Sequence, residues 1–250
     1  MGMNARQNRT ILFVHIPKTG GTTLRVLFEQ QYAQQPWFVI HHAIPQERAR
    51  LAKTAVAERS QYRMVFGHMC WGWHQYVPAG RAYAYTTVLR EPNERLLSLY
   101  AHCRLSEHYL GNTIAGRDIE WFLRSGVTRR ADNGMVRQLC GRDEFTAQVP
   151  YKDAAIPLGE VTRNDLDKAV ANLRSCALVG VQEQFAAYLD AGRRVFGWRP
   201  MDAGTRVNVT RWPRLSWREL TPRQRAAVER SNEYDRELYE EALRIVEGQK

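Results

Sequence analysis

A short segment that combines one lysine with two glycines and three threonines has the residue types of an anion-binding loop. It follows an apolar, β-branched run at residues 11–16 that is typical of a buried strand, and apolar residues then recur at helical spacing. Glycines let a ligand approach the backbone, and the start of a helix presents N–H groups and the positive end of its dipole. The candidate anion-binding residues are Lys18, Thr19, Gly20, Gly21, Thr22 and Thr23.

The order of these residues differs from that of the P-loops of nucleoside triphosphatases. In a P-loop the lysine follows the second glycine and directly precedes serine or threonine, whereas Lys18 precedes both glycines. A P-loop kinase also needs a magnesium-binding acid at a strand end, and no predicted strand ends in aspartate. A P-loop small-molecule kinase therefore stays only as an alternative.

A second group of polar residues begins where the predicted strand at residues 82–89 ends. Arg90 lies at the carboxyl end of that strand, where open α/β sheets bind ligands. Pro92 opens a helix that contains Ser98 about two turns later. Arginine suits a phosphate because its planar guanidinium binds two oxygens at once. Arg95 of the same helix is explained at least as well by a structural ion pair.

Three histidines are candidates for proton transfer or substrate contact. His68 closely follows the predicted strand at residues 62–66, so we expect it at the same edge of the sheet as the glycine loop. A positioned histidine can accept a proton near neutral pH. His74 is the second candidate for the base and His15 the third, and both are candidate substrate-binding residues.

The order Pro-Lys-Thr-Gly-Gly-Thr-Thr at residues 17–23 resembles the 5′-phosphosulfate loop of sulfotransferases that use 3′-phosphoadenosine 5′-phosphosulfate (PAPS). It is most similar to the branch with the heparan sulfate 2-O- and 6-O-sulfotransferases, a carbohydrate sulfotransferase branch. The later Arg-x-Pro…Arg-x-x-Ser pattern is similar to that family's 3′-phosphate site and places Arg90 and Ser98 at matching positions. Arg211 falls in a segment that resembles a late loop near the nucleotide.

This resemblance implies a role for each group. Lys18 would hold the bridging oxygen and a sulfonate oxygen, and the backbone of residues 20–22 would hold the 5′-phosphate. His68 matches the Gly-His of the uronyl 2-O-sulfotransferase-like members, in which that histidine is the base. The implied reaction transfers the sulfuryl group from PAPS to an acceptor hydroxyl by in-line attack and releases 3′-phosphoadenosine 5′-phosphate (PAP), with no metal.

The acceptor implied by the resemblance is a glycan or glycolipid, and a small metabolite or lipid hydroxyl stays open. The formal net charge of +10 favours acidic partners, including an anionic glycan. The same charge would suit a non-enzymatic protein that binds polyanions or nucleic acid. That alternative does not explain why Lys18, His68 and Arg90 follow successive strands, so we expect no nucleic-acid partner.

Alternating strands and helices predict a P-loop-like, three-layer α/β/α fold with a central, mostly parallel sheet of about five strands. We interpret residues 1–250 as one sulfotransferase domain. Its nucleotide-binding core spans about 10–104 and 162–196, an irregular acceptor-binding segment about 105–160, and a C-terminal helix about 221–248. The start has no apolar run typical of a signal peptide or anchor, and no two cysteines form a Cys-x-x-Cys pair. Golgi members of the family that the chain resembles carry an N-terminal anchor, so the resemblance implies a cytoplasmic, bacterial or otherwise cytosolic member, and we expect no transmembrane segment.

Overall fold

The structure, a computed structural model, describes residues 9–40, 44–105, 110–142, 155–204 and 215–249, with the backbone alone for 44–48. Its strands are β1 (Arg9–Val14), β2 (Trp37–Ile40), β3 (Met64–Gly67), β4 (Ala82–Leu89) and β5 (Leu178–Val181). Its helices are α1 (Gly21–Gln31), α2 (Ile44–Lys53), α3 (Val56–Arg59), α4 (Pro92–Cys103), α5 (Gly111–Ile114), α6 (Ile119–Ser125), α7 (Gly134–Leu139), α8 (Arg163–Arg174), α9 (Phe185–Phe196), α10 (Pro222–Ser231) and α11 (Glu233–Gly248). Single 3₁₀ turns span Trp73–Tyr76, Arg129–Ala131, Gln182–Gln184 and Trp217–Glu219.

The five strands form one parallel sheet in the order β2-β3-β1-β4-β5, which confirms the predicted α/β fold. Val14 of β1 pairs with Gly67 of β3 on one side and with Thr87 of β4 on the other. The loops after these three strands therefore leave from the same edge of the sheet. The chain continues from β1 to one side and from β4 to the other, so the gap between them is a topological switch point, where α/β sheets bind ligands.

The central strand β1 is apolar because helices cover both of its faces. Leu12 and Val14 pack in a core cluster with residues of α7, α8 and α11, whereas Ile11 and Phe13 pack in a second cluster with residues of α1 and α9. A strand buried on both faces needs a continuous apolar run rather than alternation. Side chains that follow the strands at the carboxyl edge therefore lie on one of these two faces of the sheet.

The C-terminal region differs from the single helix predicted for about 221–248, because α10 and α11 are separate. Asn232 leaves the helical conformation (φ −119°, ψ 16°). The first turn of α11 is then capped from elsewhere in the chain: the Asn133 side-chain oxygen accepts hydrogen bonds from the backbone N–H groups of Tyr234 (2.9 Å) and Asp235 (3.1 Å). A tertiary cap therefore replaces the hydrogen bonds that a continuous helix would supply.

The segment after β2 likewise contains two separate helices, α2 and α3. The Thr54 hydroxyl bonds back to the Arg50 carbonyl (2.9 Å), and Ala55 is extended with ψ 143°. Such local side-chain bonds compete with continuation of a helix. Of the helices within the described ranges, none combines the length and the apolar character needed to cross a membrane.

Candidate active site

The loop after β1 is built around two residues with left-handed backbone conformations, Lys18 (φ 73°) and Gly20 (φ 86°). Thr19 between them is fully buried, and its hydroxyl donates to the Ile16 carbonyl at 2.8 Å. That hydroxyl therefore shapes the loop from within. Helix α1 begins directly afterwards at Gly21, so its N-terminus opens on the carboxyl edge of the sheet.

Arg90, at the end of β4, contacts this loop directly. Its Nη1 donates to the Lys18 carbonyl oxygen at 3.2 Å, and its Nη2 pairs with the Glu94 carboxylate at 3.2 Å. The side chain is 8% exposed, so the guanidinium charge is held in a largely desolvated position where it interacts strongly with an anion. Ser98 lies in the second turn of α4 and is buried. The structure thus brings the two predicted phosphate-binding elements to adjacent positions at the switch point.

His68 follows β3 in a tight turn that fixes its direction. The Met69 N–H donates to the Gly67 carbonyl at 2.8 Å, which closes a three-residue γ-turn around His68. The Nδ1 of His68 lies 3.3 Å from the His15 carbonyl oxygen. A carbonyl only accepts hydrogen bonds, so this contact is a hydrogen bond when Nδ1 carries the proton, and the neutral ring then keeps the lone pair of a base on Nε2.

Four rings form a continuous stack that leads from the core to this edge. Phe13 and Phe66 lie 4.8 Å apart between ring centroids, Phe66 and His15 5.5 Å, and His15 and His68 4.3 Å. The rings alternate between the chain segments of β1 and β3, and the angles between the paired planes are 28° or less. The half-buried His68 ring is therefore supported from below by a rigid, packed column.

His15 also contacts the glycine loop. A methyl group added at Gly21 would lie 1.6 Å from the His15 Nε2 atom, so the imidazole occupies the space that any larger residue would need. Gly21 is therefore required by close packing at the start of α1. Through this contact His15 joins the candidate base, His68, to the candidate anion-binding loop.

His74 lies on the other face of the sheet from the His15 and His68 rings. Its Nδ1 is 3.0 Å from the Tyr85 hydroxyl, and its ring stacks on Tyr83 at 5.1 Å. Tyr85 belongs to the core cluster of Leu12 and Val14, opposite Phe13 and Phe66. Burial lowers the pKa of the His74 imidazole. The structure does not bring His74 together with the loop.

The sequence also pointed to two further arginines, Arg95 and Arg211, and the structure describes only the first of them. Arg95 is fully buried and pairs with Asp235 at 3.3 Å, while Asp235 also accepts the N–H groups of Met135 and Val136. Arg95 therefore forms a structural ion pair, which was one of the two interpretations of this residue. Arg211 lies outside the described residues.

Sequence reasoning missed two glutamines at this edge. Gln138 of α7 donates from its side-chain amide to the carbonyls of His15 and Met69, both at 2.8 Å. Gln182, after β5, packs over the glycine loop: a Cβ at Gly20 would lie 3.8 Å from its Cγ. A sequence signal existed for Gln138, since it is an amide within a short, otherwise mostly apolar helix.

The loop and the adjacent Arg90 suit an anionic ligand. The cap residue of α1 is Gly20, which has no side chain to accept hydrogen bonds from the first turn, and that turn contains no acidic residue. The helix dipole therefore adds to the charges of Lys18 and Arg90. Across the described ranges, no three His, Cys, Asp or Glu side chains gather in a way that could hold a metal ion.

Comparison with known proteins identifies the family. The family model described as "Sulfotransferase family" matches residues 3–152, which is more than half of the chain. No curated protein matches the sequence significantly. The matched range includes the glycine loop, His68 and Arg90, which meet at the carboxyl edge of the sheet. The chain belongs to the sulfotransferase family, and it is a transferase.

Proposed function

We propose that the protein transfers the sulfuryl group of PAPS to a carbohydrate hydroxyl, with His68 as the general base. The observation that carries this proposal is the position of His15, which contacts His68 on one side and Gly21 of the anion-binding loop on the other. A base and an anion site joined by one packed side chain suit a reaction in which a hydroxyl is deprotonated next to a bound anionic donor.

Each residue has one task in the proposed reaction. The acceptor oxygen bonds to sulfur while the bond between sulfur and the 5′-phosphate oxygen breaks, and PAP leaves. His68 Nε2 takes the proton of the acceptor hydroxyl. Lys18 neutralises the charge that develops on the departing phosphate, where such stabilisation is most effective. The backbone of residues 20–22, with the hydroxyls of Thr22 and Thr23, would hold the 5′-phosphate.

The 3′-phosphate of the donor would be bound by Arg90 and Ser98, and Arg211 is a further proposed contact. The low exposure of Arg90 supports this assignment, because a desolvated guanidinium discriminates strongly between a nucleotide with the extra phosphate and one without it. The carboxylate of Glu94 keeps the arginine oriented. Family membership supports sulfuryl rather than phosphoryl transfer and so disfavours the kinase alternative.

A carbohydrate acceptor is supported by the resemblance at His68 and by the formal net charge of +10, which suits a glycan that bears carboxylates. We assign acceptor binding to residues of about 105–160, and nucleotide binding to about 10–104 and 162–196. Segment 105–160 follows α4, so it begins on the same side of the switch point as Arg90.

The test is a transfer assay with PAPS labelled in the sulfuryl group, set against ATP labelled in the γ-phosphate with magnesium. A panel of neutral and acidic oligosaccharides, glycolipids and small alcohols serves as acceptor. We expect label to pass from PAPS to a carbohydrate with stoichiometric release of PAP. Transfer from ATP would overturn the donor assignment, and transfer only to non-carbohydrate alcohols would overturn the acceptor assignment.

His68→Asn and His74→Asn form a matched pair for the base. Asparagine can keep a side-chain N–H near the position of histidine Nδ1 but has no atom equivalent to a basic Nε2. We expect kcat to fall about 10²–10⁴-fold in His68→Asn, and to change little in His74→Asn. Equal losses in the two variants would contradict the assignment of His68.

A further inference from the structure

Gln138 holds together the two chain segments that end in the candidate catalytic edge. Its Nε2 donates to the carbonyl of His15, which follows β1, and to the carbonyl of Met69, which follows β3, at 2.8 Å each. Its own backbone carbonyl accepts the N–H of Trp71 at 3.0 Å. One residue of a distant helix therefore fixes the chain immediately before the loop and immediately after His68.

The same His15 carbonyl receives two donors. His68 Nδ1 reaches it at 3.3 Å and Gln138 Nε2 at 2.8 Å. Since both amide protons of Gln138 face carbonyl oxygens, the orientation of its amide group is set by its neighbours. The side chain is 1% exposed, and within the described ranges its Oε1 finds no hydrogen-bond partner.

We propose that Gln138 is a positioning residue that sets the tautomer and direction of His68 through the His15 carbonyl. This inference rests on the proposed role of His68 as the base. By fixing where the His15 carbonyl points, the amide fixes the acceptor for Nδ1–H and leaves Nε2 directed away from it, toward the acceptor hydroxyl. Outer-shell partners of metal-bound histidines typically change activity about 10–100-fold when removed, and we take the same range for Gln138, which acts on His68 through the His15 carbonyl.

The experiment compares Gln138→Met with Asn172→Leu. Methionine has nearly the same shape as glutamine but donates nothing, and it also removes the unsatisfied Oε1. Asn172 of α8 is a matched control because its Nδ2 donates to the carbonyl of the next residue of α7, Leu139, at 2.8 Å. Both variants remove an amide-to-carbonyl bond at α7, but only Gln138→Met removes a bond to the histidine segments.

Two readouts are measured on each protein: steady-state kinetics with PAPS, and the ¹⁵N chemical shifts of the His68 ring, which report the tautomer. For Gln138→Met we expect kcat about 10–100-fold lower, an unchanged KM for PAPS, and loss of the single Nδ1–H tautomer. For Asn172→Leu we expect neither change. Equal effects in the two variants would overturn the proposal.

The tautomer of the His68 ring in the wild-type protein provides a test that does not depend on the folding of a variant. At neutral pH we expect His68 to carry its proton on Nδ1, and a proton on Nε2 would overturn the proposal. If no acceptor is sulfated by any of the proteins, the proposed function has failed, while the ring shifts still decide whether Gln138 sets the tautomer.

Discussion

Lys18 combines a left-handed backbone with the side chain that we assign to charge neutralisation, so substitutions can separate strain from function. At φ 73° a residue with a Cβ is strained, whereas glycine is not. The strained conformation is held by a hydrogen bond from Arg90 to the Lys18 backbone carbonyl. Any residue at position 18 can accept this bond, because the acceptor belongs to the backbone. Lys18→Gly and Lys18→Ala both remove the ammonium group and its contacts, so their difference reports the backbone alone.

The magnitude follows from two opposing contributions. The left-handed conformation costs about 1–2 kcal/mol for a residue with a Cβ, and glycine costs about 0.4–1 kcal/mol in the entropy of the unfolded chain. We therefore expect Lys18→Gly to be about 1 kcal/mol more stable than Lys18→Ala. For a chain of this size, that difference is about 2–4 °C in the melting temperature.

The assay is thermal unfolding of both variants together with sulfuryl transfer from PAPS. We expect both variants to lose about 10²–10³-fold in kcat, as when one preorganised donor to a developing charge is removed. The more stable glycine variant should thus be as inactive as the alanine variant. A glycine variant no more stable than the alanine variant would refute the strain argument, and wild-type activity in either would refute the role of the ammonium.

Three further predictions concern the frame around the site. Gly21→Ala places a methyl group where an imidazole lies, and we expect it to cost about 1–3 kcal/mol in unfolding free energy and to lower kcat, measured by denaturant unfolding and kinetics. Asn133 (φ 48°) both adopts a left-handed backbone and caps α11, so Asn133→Gly should lose about 1 kcal/mol and Asn133→Ala more, by the same unfolding measurement. Burial raises the pKa of Asp165, but hydrogen bonds from the Thr162 side chain and backbone, together with the ion pair to Arg142 at 3.0 Å, outweigh this effect and lower the pKa. Its folded-state pKa lies below the unfolded value of about 3.9, so its contribution is present above that pH and is lost as pH falls through the folded pKa. Melting curves of wild type and Asp165→Asn should therefore converge between neutral and acidic pH, and a constant gap would contradict the shift.

The features that depend on local pattern could be predicted from the sequence. Strand β4 (Ala82–Leu89) has the predicted bounds. The approach of Lys18 and Arg90 also follows from the sequence, because the carboxyl ends of parallel strands share one edge. These inferences need only the spacing of apolar residues that is typical of strands and helices, and the parallel direction of the strands.

The features that depend on distant partners could not be predicted. The contact of His15 with Gly21 depends on side-chain packing, and the face on which His74 lies depends on the turn at Trp73–Tyr76. Gln138 reaches the histidines from a helix more than a hundred residues after His15. The division between α10 and α11 requires the cap from Asn133. Each of these is a tertiary contact, so local spacing does not predict the partner, even where, as for Gln138, the residue type stands out in its helix.

The central claim is tested most directly by calorimetric titration with PAP, ADP, and ATP with magnesium. The proteins are wild type, Arg90→Ala and the control Arg25→Ala, whose side chain is 46% exposed on α1. We predict that wild type and Arg25→Ala bind PAP at least about tenfold more tightly than ADP, as expected from charge-assisted hydrogen bonds to the 3′-phosphate. Arg90→Ala should lose this preference. Equal affinity of the wild-type protein for PAP and ADP, or a preference for ATP with magnesium, would contradict the account.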